Sequence, residues 1–230
     1  VLSQAGGVDA PDLRTAVMSQ WASTVNAVVT GYGASSTITY HDGLFVDLTA
    51  PEVRAISAHE VAHIVSQDVW WASVEAALVC AAAVAAIAGA LSSRRIRRWS
   101  GATDGVGVVV AMTPFLALAT TALLALSVPV VATVSRPIEL RADHEAVELL
   151  VISGLAANEV RASDELASAL RTMTSINLGG VNPPQWRYAL FGTHPSLAQR
   201  LGVLAAADAN ADVSGDQVPA TRTSRWQQPN

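Results

Sequence analysis

Two long apolar runs constrain this chain more than anything else in it. Val69 to Leu91 spans 23 residues with a single charge, Glu75, and Val106 to Val134 carries no charge at all. An α-helix needs roughly 20 such residues to cross about 30 Å of hydrocarbon, so both runs are predicted to be transmembrane helices. Pro114 and Pro129 fall in the second, where they kink or bound it. Trp70, Trp71 and Trp99 sit near the predicted ends, where indole rings favour the interface. Glu75 lies close enough to a span end to reach the interface or face the bundle. The composition agrees, with 51% hydrophobic and 14% charged residues over 230 positions. The lipid bilayer is therefore a predicted partner. A net charge of -5 and the lack of a basic tract argue against nucleic acid. The one cysteine, Cys80, excludes an intrachain disulfide.

The chain begins at Val1 with no charged segment leading into an apolar run, so no signal peptide is expected, and further spans are expected ahead of it in a longer protein. Four segments are predicted: residues 1–68, 69–134 as the hairpin, 135–206, and a disordered tail over 207–230, rich in Asp, Ser, Gln and Pro. In the first segment, Thr24 to Thr30, Ser36 to Tyr40 and Leu44 to Leu48 are β-prone runs, the last two separated by the His41-Asp42-Gly43 turn, and together predict a small sheet. Thr49 with Glu52 three residues on is a capping box, and Pro51 suits a first turn, so a helix is predicted from about Ala50. From Glu139 to Thr174 the spacing is that of amphipathic helix broken at Ser153-Gly154. Gly179 to Pro184 reads as a loop and Trp186 to Ala206 as a turn and a closing helix.

The helix after Thr49 carries His59-Glu60-Val61-Ala62-His63. Residues four apart share a helix face, so both imidazoles can hold one small cation while Glu60 approaches its water. Catalytic zinc takes three protein ligands and keeps a position for water, so a third donor is needed. Glu139 is the candidate, with Asp143 one turn on to accept a hydrogen bond from a ligand imidazole. Read alone, Glu139 and Asp143 could equally be solvated charges paired with Arg141. The hairpin favours the metal reading, because two spans return the chain to the side it left. His63 stands six residues before Val69 and Glu139 five beyond Val134, each about 10 Å from a span end.

H-E-V-A-H, an apolar hairpin, E-L-R-A-D and then T-H-P-S before a helix resemble, in that order, the HtpX-like zinc endopeptidases, a family that includes the CAAX prenyl protease. The resemblance runs from about Leu2 to Leu204 and takes in Asn26-Ala27 and Asp42-Gly43-Leu44. It implies an α+β, mainly helical, gluzincin-like fold with a small N-terminal sheet and a transmembrane hairpin between the ligand motifs. It also implies one zinc ion on His59, His63 and Glu139, with Glu60 as general base. His194, in Thr193-His194-Pro195, would donate a hydrogen bond to the tetrahedral intermediate, assisted by Arg200. Of the other histidines, His41 is expected at an exposed turn and His144 at the surface or in packing.

The predicted activity is zinc-dependent endopeptidase, acting on peptides or proteins that include unfolded or membrane proteins. The alternative is a non-catalytic or signalling membrane protein that keeps a structural zinc site. The location is a cell membrane crossed more than once. Arg94, Arg95, Arg97 and Arg98 between the spans favour a cytoplasmic connection and a site on the far side. The family resemblance implies the cytoplasmic face, so the sequence leaves the side open.

Overall fold

The computed structural model describes residues 1–99, 106–180 and 183–214. It is mainly helical with one small mixed sheet. The elements run α1 (Leu2–Ala5), β1 (Asp12–Ala16), β2 (Ala27–Thr30), a single 3-10 turn (Gly33–Ser35), β3 (Thr37–His41), α2 (Leu44–Asp47) and α3 (Ala50–Val65). After these come α4 (Asp68–Ser92), α5 (Arg94–Trp99), α6 (Val106–Ile152), α7 (Glu159–Ile176), α8 (Gln185–Phe191) and α9 (Leu197–Ser214). In the sheet, β3 is central, parallel to β1 and antiparallel to β2. The outer edge of β2 has no strand partner among the described residues.

Helix α3 starts where its cap signature puts it. The Thr49 backbone N–H and hydroxyl both donate to Glu52 Oε2 at 2.8 Å, and Pro51 sits in the first turn, where no intrahelical donor is needed. The other oxygen of the same carboxylate accepts from Ser168 at 2.7 Å and Thr172 at 3.0 Å, both on α7. One side chain thus caps α3 and fastens α7 to it. Burial pushes Glu52 up, but these hydrogen bonds outweigh it and hold the carboxyl below its usual range.

The core forms where α3 meets the sheet, the second half of α6, and α7. Ala55, Ala58 and Ala62 on α3 are fully buried, as are Ala142 and Ala146 on α6. Methyl side chains at helical spacing let the two backbones approach closely, which brings short-reach side chains from both helices to one point.

Three expectations are corrected or extended. Leu44 to Leu48 is a helical turn and not a strand: Leu44 and Leu48 are buried while Phe45 and Val46 are exposed, the four-residue spacing of a helix face. No break in the helix falls at the boundary expected after Val134: α6 continues to Ile152 with Pro114, Pro129 and Pro137 inside it. Helix α9 continues past Ala206 to Ser214, into the segment expected to be a disordered tail; residues 215–230 lie outside the described residues. The sequence also gave no sign of β1, whose Asp-Leu-Arg-Thr run is exposed on both faces and so lacks alternation.

Helices α4 and α6 are long and apolar enough to cross a membrane, and the most apolar 18-residue windows of the two are 0% and 6% buried. A core helix of a water-soluble domain would be mostly covered, so these two present apolar surface outward along those windows.

Candidate active site

His59 and His63 project from the same face of α3, with their rings edge to face and centroids 4.7 Å apart. Their Nε2 atoms lie 3.2 Å from each other. Across from them, Glu139 of α6 places Oε2 3.5 Å from His59 Nε2 and Oε1 3.9 Å from His63 Nε2. All three donors fall within 4.8 Å of one another. Tetrahedral zinc with bonds of about 2.1 Å has ligand atoms about 3.4 Å apart, close to the 3.2 Å between the two imidazole nitrogens and the 3.5 Å from His59 to Glu139. Two imidazole nitrogens and one carboxylate oxygen are also a donor set that zinc accepts. The side chains therefore fit the ion.

The electrostatics point the same way. Burial alone would lower the His59 imidazole, but Asp143 and Glu139 outweigh it and raise the pKa to about 9. Burial pushes Glu139 up, and hydrogen bonds from His194 and His59 hold it well below the carboxylate range. The cluster favours positive charge at its centre, which a proton or a divalent cation can supply.

His59 is oriented from behind. Its Nδ1 lies 3.0 Å from Asp143 Oδ1, close though poorly aligned for a hydrogen bond, and Asp143 is fully buried. Arg200 of α9 grips Asp143 with two donors, Nε at 2.7 Å from Oδ2 and a second nitrogen on Oδ1. Burial raises the Asp143 carboxyl, and Arg200 and His59 bring it down again. Arg200 therefore reaches the site through Asp143. Glu60 is buried beside the imidazoles, and desolvation pushes its carboxyl upward.

His194 sits in the loop between α8 and α9, with Nδ1 3.1 Å from Glu139 Oε1 and its side chain 66% exposed. It stands at the mouth of the site. The remaining histidines lie elsewhere: His41 contacts Thr24 at the end of β3, and His144 Nε2 is 3.5 Å from Glu148 on the outer face of α6. Sequence reasoning missed Asp68, which accepts a hydrogen bond from His63 Nδ1 at 2.8 Å. Its only signal was an acidic residue five positions after the second histidine, which passes for a flank of the apolar run.

An H-E-x-x-H helix facing a buried glutamate on a second helix defines a metallopeptidase-type centre. The chain belongs to peptidase family M48, whose sequence pattern matches residues 1–208. It is 28% identical over 212 residues to a protease HtpX homolog of Janthinobacterium sp. (strain Marseille), covering 88% of this chain and 68% of the relative. A protease HtpX homolog of Herminiimonas arsenicoxydans is 30% identical over 216 residues, with the same coverage of 88% and 68%. Among solved structures, S. mikatae Ste24p shares the fold, with a TM-score of 0.67 at 20% identity, over 89% of this chain. The chain spans about half, 49%, of the length of that protein. The HtpX-like resemblance read from the motifs is thus met by both curated relatives.

Proposed function

We propose that the chain is a zinc-dependent endopeptidase of a cell membrane, with one ion held by His59, His63 and Glu139. The observation that carries this is the convergence of the three donors within 4.8 Å, with Glu60 buried beside them. Zinc in such a set supplies Lewis acidity and lowers the pKa of a water toward about 7. Glu60 takes the proton of the attacking water and returns it to the leaving amine nitrogen. Burial raises the Glu60 carboxyl from its ordinary value, which favours its holding a proton between the two transfers. Asp143, pinned by Arg200, keeps His59 in one tautomer, with Nε2 toward the ion. His194, exposed at the mouth, donates to the oxyanion that forms at the scissile carbonyl.

An extended peptide is the substrate class that suits the surroundings. Strand β2 packs near α3, and a cavity of about 200 Å³ beside His63 is lined by Val29, Tyr32, Ser36, Gln67 and Trp70 among others, from β2 and its connection to β3, the end of α3 and the start of α4. Main-chain pairing to the free edge of β2 would hold the peptide, and the cavity beside His63 would take a side chain. The exposed apolar surfaces of α4 and α6 support a membrane hairpin inserted between the ligand motifs of a gluzincin-like body. This arrangement suits unfolded or membrane proteins as substrates.

Two variants test the reading. Glu60→Gln is expected to keep stoichiometric zinc and lose about 10²- to 10⁴-fold in turnover of a labelled unfolded protein. Glu139→Ala should lose the zinc itself. Full hydrolysis by Glu60→Gln would exclude the assigned base, and zinc without hydrolysis in the wild type would favour a structural or signalling metal.

A further inference from the structure

We infer that Asp68, the first residue of the apolar helix α4, is a positioning residue for the metal ligand His63, and so ties that helix to the active site; this rests on the zinc reading above. Three observations carry it.

The first is the contact itself. Asp68 Oδ2 accepts from His63 Nδ1 at 2.8 Å, which leaves Nε2, on the opposite side of the ring, toward His59 and Glu139. A neutral imidazole that donates from Nδ1 has its lone pair on Nε2, which is the atom of His63 in the donor triangle. Asp143 stands behind His59 in the corresponding place. The two ligands are thus backed by carboxylates from different helices.

The second is how Asp68 is held. It is buried, 8% exposed, and Arg141 of α6 binds its other oxygen, Oδ1. Arg141 Nε lies 3.6 Å from Glu145 Oε1, and Glu145 Oε2 accepts from Ser66 Oγ at 2.8 Å. The chain of contacts closes a ring from α3 through α6 to the start of α4, with the charge of Asp68 matched by a guanidinium. A carboxylate buried without such a partner would be strongly disfavoured.

The third is the backbone. Between α3 and α4, Gln67 adopts a left-handed conformation with φ 57° and ψ 35°, which a residue with a Cβ takes only at an energetic cost. This one residue breaks the helical path between α3 and α4, and across the break the Asp68 carboxylate meets His63. A continuous helix would place residues 63 and 68 about 140° apart around the axis, out of contact.

The test measures metal affinity and ligand geometry in the full chain in detergent, apart from activity. Cobalt(II) and zinc(II) dissociation constants come from chelator competition, and the visible absorption of the cobalt form reports the ligand field. Asp68→Ala is expected to weaken both metals about 10- to 100-fold and to shift the cobalt bands. Asp68→Asn, which keeps an acceptor but removes the charge, should fall between it and the wild type. Ser73→Ala, which removes a hydroxyl that donates to the Val69 carbonyl within α4 at 2.7 Å and lies outside this ring, serves as control and should bind within about twofold of the wild type. If Asp68→Ala does not fold, Asp68→Asn decides. Wild-type affinity with unshifted cobalt bands in the folded variants would overturn the role of Asp68 and leave the zinc site standing. A wild-type chain that binds neither metal would sink both.

Discussion

The two halves of α6 are one continuous helix in two surroundings. Leu118 in the first half is 69% exposed, whereas Leu149 in the second is fully buried, and between residues 142 and 150 lie Ala142, Asp143, Ala146 and Leu150, all fully buried. The first half carries no charge from Val106 to Val134, yet the described residues leave most of it uncovered, Met112 and Ala132 apart; the second carries Glu139, Arg141, Asp143 and Glu145, and the protein wraps it. Apolar residues outside and charges inside reverse the usual arrangement. Exposure has meaning only relative to the solvent: in the proposed membrane placement the first half would meet lipid, while the second builds a site that holds ionised groups away from water.

The largest effect expected is on the covered half. Leu149→Ala should lower stability by about 2–5 kcal/mol, while Leu118→Ala in the same helix should barely change it. Equal losses in detergent melting curves would mean that the first half is packed against protein. Next, Leu118→Arg should oppose insertion by about 2.5–3.5 kcal/mol, read as the fraction of chains integrated into membranes. Val46→Arg, at an 82% exposed position in the water-facing body, should stay within about 0.5 kcal/mol of the wild type. Tolerance of Leu118→Arg would remove the argument for lipid. The smallest effect concerns the body alone. Glu52→Ala should cost about 2 kcal/mol, since it uncaps α3 and strips Ser168 and Thr172 of their acceptor. Because the folded Glu52 carboxyl lies below the ordinary 4.5, its contribution is complete above that pH and is lost as the pH falls below it. A melting profile of Glu52→Ala that runs parallel to the wild type between pH 7 and about pH 3 would contradict this.

What the sequence disclosed and what it hid divide along the range of the interactions. The cap at Thr49 and Glu52, the helix with both imidazoles and the two apolar runs depend on neighbours within a few positions, and each was legible. Glu139 became legible only through the return path of the hairpin. The second role of Glu52 joins residues 116 positions apart, and Asn177 holds the backbone of Val25 across 152, spacings that leave no local trace. Asp68 was hidden for a different reason: its contact with His63 requires a left-handed residue at Gln67, and a glutamine gives no hint of that conformation. Arg200 was placed by resemblance, and its grip on Asp143 emerges only once α9 packs beside α6.

The 47 residues of α6 amount to a rod about 70 Å long. Its second half carries a carboxylate 3.5 and 3.9 Å from two imidazoles, and in the proposed membrane placement its first half would answer to the thickness of the hydrocarbon. With about 28 Å of rod between residue 120 and Glu139, a tilt of roughly two degrees about mid-span displaces that carboxylate by about 1 Å. If the proposed membrane placement and metal site hold, a thicker or thinner bilayer would retune the grip on the metal without any molecule entering the cleft.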